Sequence, residues 1–478
     1  MVNLYQRILE ENVGYEGVAV CDRGRMITYP ELFKTVDFII DRLKKNGVDA
    51  GSRVAILADD SMEYIAVSLA VLALECVIVP FSSRAPENEV RNMLSEMGVN
   101  VMLCSEKYHR EEDSSMTVPE SFLDNFYLRF LTGKIQPIAL PENKQAAFIR
   151  FSSGTTGNNK GVVLSHDSVI ERTDACLELG VTRGEKVFWV LDMAFHFVVT
   201  ILLFLRKGAC IVICPPPVEA NMAQVMKEHE VSLLYATPYH YRLMTSSDEI
   251  TPDMLKGVRR AFSTAMKLES SDAIAFREKF ALPLTQAYGI IEVGLPCINV
   301  SDRPDKVNSV GRLQSAYQLR LADADESGAG RVLLKGPGFF DAYLTPFKLR
   351  SEICEDGCYF NTGDIGRMDD DGYLYLIGRA KNVINFAGMK VFPSEIETVL
   401  LDHPWVRECR VSGQVAGAFG EVPVAEIVVA ADTVLIEGWE DALREFCYRR
   451  LAPYKVPKLF RQVESLPRTA SGKIIRRS

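Results

Sequence analysis

The stretch Arg53-Val-Ala-Ile-Leu-Ala58 is a short apolar run, followed by Asp59-Asp60-Ser61, then by apolar residues at helical spacing from Met62 to Leu74, then by Cys76-Val-Ile-Val-Pro80. Strand, helix and strand at that spacing form a βαβ unit, and a βαβ unit implies a parallel sheet. Similar runs recur at Cys210-Ile-Val-Ile-Cys214, Ser232-Leu-Leu-Tyr235 and Arg260-Ala-Phe-Ser263, flanked by helical composition or turn residues. The body of the chain is therefore expected to be layered α/β.

At 478 residues the chain exceeds one ordinary core. After Gly378 the texture changes: Cys409–Gly413 and Ala425–Ala430 predict short half-exposed strands, and Trp439–Leu451 predicts an amphipathic helix ended before Pro453. The expected architecture is a large multi-layer N-terminal domain of mixed sheets and helices, residues 1–378, and a small mobile C-terminal α/β domain, residues 379–478.

A formal net charge of -9, with basic residues dispersed among acids, argues against a nucleic-acid partner. The 11 cysteines form no CxxC pair and no zinc-type spacing, which predicts buried thiols in a reducing cytoplasm. Phe195–Leu205 is too short for a membrane span and predicts a buried helix, and the N-terminus lacks the apolar core of a signal peptide.

The residues with most chemistry lie in Phe151-Ser-Ser-Gly-Thr-Thr-Gly-Asn-Asn-Lys-Gly161, a loop with Gly154, Gly157 and Gly161, the hydroxyls of Ser152, Ser153, Thr155 and Thr156, and the cation Lys160. Such a loop can turn backbone N–H groups onto a phosphate while hydroxyls and lysine add donors and charge. It is not the GxxxxGK[ST] loop, because Asn159 stands at the second glycine and Gly161 at the hydroxyl position. On composition alone a plain surface turn stays open.

The loop resembles the phosphate-binding signature of the adenylate-forming superfamily of acyl-CoA synthetases, peptide-synthetase adenylation domains and firefly luciferase. Gln286-Ala-Tyr-Gly-Ile-Ile-Glu292 is similar to its YGxTE segment, Asn361-Thr-Gly-Asp364 with Gly378-Arg379 to its TGD and GR pair, and Arg379-Ala-Lys-Asn382 to its hinge. Gly388–Glu397 and Leu466–Ile474 resemble its last two signatures, and Ile27–Leu32 and Gly51–Ala55 its N-terminal landmarks. The departures are Asn159 for proline, Ile291 for a threonine that touches the α-phosphate, and Asn382 for aspartate.

The resemblance implies ATP-dependent activation of a small carboxylic acid to acyl-AMP with pyrophosphate release, then thioester formation. It places Ala265, Tyr288 and Gly289 with the loop in the nucleotide site, gives Glu292 the Mg2+ on ATP, and gives Asp364 with Arg379 the ribose. Lys473 bridges the attacking carboxylate and the α-phosphate, and Asn382 is the hinge about which its domain swings. The implied acyl pocket is Phe195, His196, Tyr239, Phe262, Ala287, Ile290 and Gly294, a largely apolar wall suited to a medium acyl chain or an aryl acid. His196 is equally readable as a core histidine, and Asp192 lies too early in the chain to pair with a substrate ammonium.

The acceptor is read as CoA, the chain ending just after the lysine motif with no carrier domain, or as the phosphopantetheine of a separate acyl carrier protein. A nucleotide-binding homologue that has lost catalysis and a luciferase-like oxygenase are the rivals from other classes.

Overall fold

The computed structural model describes all residues except 1, 109–122, 124–125, 132–136, 153–159, 387–388, 417–420, 431–432, 436, 469–473 and 476–478, and all side chains of the described residues but those of Lys107 and Ser152. By packing, the chain divides into two compact units, Met1–Gln318 with Lys335–Cys358, and Leu319–Leu334 with Tyr359–Ser478. The antiparallel pair Phe360–Met368 and Tyr373–Arg379, which sets Asp364 opposite Arg379, lies in the second unit.

The first unit contains two sheets. In one, the strands run in the order Phe347–Leu349, Ala342–Leu344, Lys160–Ser165, Ala146–Ser152, Val77–Ser82, Arg53–Ala58, Val101–Ser105 and Phe126–Phe130. The expected βαβ unit is there: Arg53–Ala58 and Val77–Ser82 pair in parallel around the helix Met62–Ala73. Both strands are buried along their whole length, as strands covered on two faces must be. Ser61 starts the helix by accepting the Tyr64 N–H at 3.1 Å.

The other sheet has a parallel centre of six strands, in the order Leu284–Ile290, Arg260–Ser263, Leu233–Ala236, Lys186–Trp189, Cys210–Ile213 and Val18–Asp22. Gly294–Ile298 and Gly311–Leu313 continue it antiparallel beyond Leu284–Ile290, and Arg25–Thr28 closes the far edge. The landmark Ile27–Leu32 proves to be a helix start: Thr28 and Glu31 form a capping box at the head of Tyr29–Lys45. The Phe195–Leu205 run is helical throughout and mostly buried, but a π-turn over Phe197–Ile201 interrupts it.

The second unit carries the antiparallel strands Gly330–Lys335, Phe360–Met368 and Tyr373–Arg379, then a separate sheet of Val406–Val415, Glu421–Val429 and Leu459–Gln462. Helices Pro393–Leu401 and Trp439–Tyr448 bury Ile396, Leu400, Leu443 and Cys447 with Val411, Ala425, Ile427 and Phe460. All 11 cysteines are free; Cys354 is half-buried and Cys358 exposed, a correction to the expectation that all are buried, since both lie near a surface turn around Gly357.

Candidate active site

In an open parallel sheet the strand carboxyl ends leave loops free to converge, and ligands bind there. Four neighbouring strands of the first unit end in residues singled out above. Lys186–Trp189 leads to Phe195 and His196, Leu233–Ala236 to Tyr239, Arg260–Ser263 to Ala265, and Leu284–Ile290 carries Ala287, Tyr288 and Gly289 at its own end.

Register sorts these residues by face. Trp189 is opposite Tyr235, Tyr235 opposite Phe262 and Phe262 opposite Thr285, so the four form one row. Ala287, two residues on from Thr285, shares their face, and Tyr288 points to the other. The His196 ring meets Trp189 edge-on with centroids 6.3 Å apart, so His196, Phe262 and Ala287 gather along one side of the sheet. A bulge between Tyr288 and Ile290 breaks the alternation, and Ile290 lies opposite Gly294. Tyr239 is different: it is 44% exposed and donates its hydroxyl to Glu219 at 2.8 Å, so it belongs to the rim, whereas Phe262 is fully buried.

Backbone geometry is tight here. Ala265 has φ +68°, a left-handed conformation uncommon outside glycine. At Gly289 a Cβ would lie 2.7 Å from the Gly294 carbonyl oxygen, so only glycine lets the two strands approach this closely.

Residues 153–157 of the loop, Ser153, Gly154, Thr155, Thr156 and Gly157, lie outside the described residues, as do the Ser152 side chain and Lys473. The strands flanking the loop are described, and Ser152 is opposite Lys160. Lys160 begins a strand whose other neighbour is Ala342–Leu344, with Tyr343 opposite Val162. Lys160 and Tyr343 are thus a diagonal pair on one face, and Nζ of Lys160 stands 4.8 Å from the centre of the Tyr343 ring. The Tyr343 hydroxyl donates to Oε1 of Glu292 at 3.2 Å, and the Glu292 carbonyl accepts the Phe340 N–H at 2.8 Å. Burial first, and then the Glu292 charge and its hydrogen bond, push the Tyr343 phenol far above its usual range, so it stays a donor. Ile291 contributes its backbone instead of a hydroxyl: its carbonyl accepts from the buried Arg172 at 3.0 Å.

A polar cluster that the sequence did not announce supports the turn bearing Phe195. Asp192 caps that turn, taking the Ala194 N–H on Oδ1 at 2.9 Å and the Ser82 hydroxyl on Oδ2 at 2.5 Å. Asp60 accepts the Met193 N–H at 2.9 Å, and complete burial, then the Asp192 charge, drive its carboxyl pKa well up. Arg150, on the strand that leads into the phosphate loop, donates to the carbonyls of Ala194 and Phe195, the latter at 3.1 Å, and lies over the Phe195 ring at 5.2 Å. Burial lowers its pKa to about 10. These partners come from distant strands, so no local pattern could have pointed to them.

In the second unit, Asp364 and Arg379 are cross-strand partners, with Nε of Arg379 2.8 Å from Oδ1 of Asp364. Arg379 also donates to the Thr362 carbonyl at 2.9 Å, and the Thr362 hydroxyl accepts the Asp364 N–H at 3.1 Å. Gly363, inside the same strand as Asp364, takes φ +74° where the pairing with Gly330–Lys335 shifts register. Asn382 ends a short 3₁₀ turn, Ala380–Asn382, that directly follows Arg379.

Comparison with known proteins places the chain in a family. The family profile described as AMP-binding enzyme matches residues 10–344, and that of the AMP-binding enzyme C-terminal domain matches residues 395–473. The chain belongs to this family, the adenylate-forming superfamily, and is a ligase of the AMP-forming acyl-CoA synthetase type.

It is 30% identical over 365 residues to a probable 4-coumarate–CoA ligase of Dictyostelium discoideum, a match that spans 72% of this chain and 65% of that protein. It is 27% identical to a 2-succinylbenzoate–CoA ligase of Bacillus velezensis over 96% of this chain and 94% of that one. The fold matches ATP-bound MatB from Rhodopseudomonas palustris with a TM-score of 0.85 at 22% identity, over 99% of this chain and 97% of the other. No helix among the described residues is long and apolar enough to cross a membrane.

Proposed function

We propose that the protein condenses a small carboxylic acid without an α-amino group, an aryl acid before others, with ATP to give acyl-AMP and pyrophosphate, and then transfers the acyl group to CoA. The observation that carries this reading is the convergence of Lys160 and Glu292 on Tyr343: a cation beside the phosphate loop and a carboxylate suited to a divalent ion meet at one side chain.

Lys160 and the loop hold the ATP phosphates, and Tyr288, Gly289 and Ala265 receive the adenine end. Glu292 fits Mg2+, a hard cation commonly bound by one or two carboxylates together with substrate phosphates. Its carboxylate is half-buried and oriented at one oxygen. The ion supplies neutralisation of phosphate charge. Asp364, held by Arg379, accepts hydrogen bonds from the ribose hydroxyls. Lys473 lowers the repulsion between the substrate carboxylate and the α-phosphate as charge builds in the transition state.

The apolar side formed by Phe262, Ala287 and the His196 end favours a ring over a polar chain. Asp192, with both oxygens held by donors of the protein, supports a substrate that lacks an ammonium group. The relatives named for 4-coumarate and 2-succinylbenzoate point the same way. The free thiols fit a cytoplasmic setting.

Pyrophosphate release across fatty, aryl and amino acids tests the reading, followed by thioester analysis with CoA and with an acyl carrier protein. Aryl acids are expected to give the highest rates. Absence of acid-dependent pyrophosphate release across the whole panel overturns the assignment in favour of a nucleotide-binding homologue without catalysis.

A further inference from the structure

We infer that Tyr343 is a positioning residue of the adenylation site: its hydroxyl fixes the Glu292 carboxylate in the orientation that receives the divalent cation, and its ring holds the Lys160 ammonium at the phosphate loop. This inference rests on the proposed ATP- and Mg2+-dependent reaction.

The geometry follows from the sheet. Tyr343 is on a three-residue strand that pairs with the strand beginning at Lys160, and the diagonal offset of the two residues brings Nζ to 4.8 Å from the ring centre. The hydroxyl reaches Oε1 of Glu292 at 3.2 Å, across a connection that no strand ladder provides. Tyr343 is 9% exposed, and its ring packs on Phe340, centroids 4.8 Å apart. Phe340 in turn donates its N–H to the Glu292 carbonyl, so backbone and side chain of Glu292 are both fastened to the segment 340–343.

A phenol in this place has two effects. As a hydrogen-bond donor, it engages one carboxylate oxygen and restricts the rotation of the group, which sets the direction in which the carboxylate meets a cation. As an aromatic face, it attracts the lysine ammonium without neutralising it, so the full charge of Lys160 stays available to phosphate. A direct Lys160–Glu292 ion pair would consume both charges, and Tyr343 stands against both groups in its place.

The test uses the full chain with Tyr343→Phe, which keeps the ring and removes only the hydroxyl. Calorimetry measures binding of ATP over a range of Mg2+ concentrations and of AMP without metal, and pyrophosphate exchange is followed over the same Mg2+ range. The expected result is a Mg2+ requirement raised about ten- to a hundredfold, the usual cost of losing an orienting partner of a metal ligand, with metal-free AMP binding unchanged.

In Glu292→Gln the Mg2+ dependence also weakens, and adding Tyr343→Phe to it is expected to change nothing further, because the hydroxyl acts through the carboxylate. Equal Mg2+ dependence in the wild-type protein and Tyr343→Phe, or full additivity in the double variant, overturns the inference while leaving the function in place. A wild-type protein whose ATP binding ignores Mg2+ altogether overturns the inference together with the metal-dependent reaction beneath it. Should Tyr343→Phe lose metal-free AMP binding too, the residue holds the fold and is not a positioning residue.

Discussion

At the scale of single residues, Asp364 has a problem shared by all buried carboxylates: it is 5% exposed and needs protein partners where water is scarce. Arg379 answers it by approaching Oδ1 at 2.8 Å while its Nη1 is anchored on the Thr362 carbonyl. A carboxylate held in this way can accept from both hydroxyls of a vicinal diol, whereas an amide in its place offers an acceptor on one side only and no charge. Asp364→Asn is therefore expected to weaken AMP binding by tenfold or more, the effect of losing a charged hydrogen bond of about 1.5–3 kcal/mol. The diagnostic measurement is calorimetry with AMP and 2′-deoxy-AMP. The wild-type protein should prefer AMP and the variant should bind the two alike; undiminished preference for AMP in the variant removes Asp364 from the ribose.

At the scale of elements, the segments that hold the site are joined by buried polar groups with a pH signature. His166 opens the helix His166–Ala175 and accepts the Leu4 N–H on Nδ1 at 3.2 Å, which ties the first helix of the chain to this helix. Burial depresses its pKa to about 4, and does the same to His240 beside Thr237. Both rings are neutral when folded but protonate near 6.5 when unfolded. Their contribution is complete above 6.5 and is lost as pH falls from 6.5 toward 4. A shift of this size corresponds to at most about 3 kcal/mol for each ring. Urea midpoints followed over that window should fall with pH, and His166→Asn, which retains an acceptor for Leu4, should flatten the slope while the share of His240 remains. A midpoint independent of pH between 6.5 and 4 contradicts the account.

How far elements could be read from sequence depends on the range of the interactions that define them. Arg53–Ala58, Met62–Ala73 and Val77–Ser82 were legible because apolar runs and a cap are local, and the motif residues from Tyr288 to Arg379 were legible because a known family uses the same spacing. Tyr343, Arg150 and Asp60 were not. Their roles come from partners 51, 44 and 133 positions away in the chain, and nothing in Ala342-Tyr-Leu344 distinguishes a positioning phenol from a core tyrosine. Asp192 was visible but its use was not, because capping a helical turn and meeting a ligand call for the same side chain.

At the scale of the whole molecule, the residues given roles in the proposed reaction fall in both packing units. The first holds Lys160, Tyr343 and Glu292, and the second holds Asp364, Arg379 and Asn382. A single site that serves both adenylation and thioester formation needs one set of groups present in the first step and withdrawn in the second, and a swing about Asn382 would supply this. Lys473 would belong to the adenylating arrangement alone. Lys473→Ala should then slow acid-dependent pyrophosphate exchange on the order of a hundredfold, comparable with the loss of one preorganised charge donor, yet leave thioester formation from supplied acyl-AMP intact. Asn382→Pro fixes φ near about −65° and removes the rotation without touching a ligand. It should spare one half-reaction and depress the overall rate of acyl-CoA formation. Measured side by side, each variant must therefore lower one step and spare the other. If both reduce pyrophosphate exchange and thioester formation from supplied acyl-AMP by the same factor, a fixed site carries both reactions and the swing about Asn382 has no part in them.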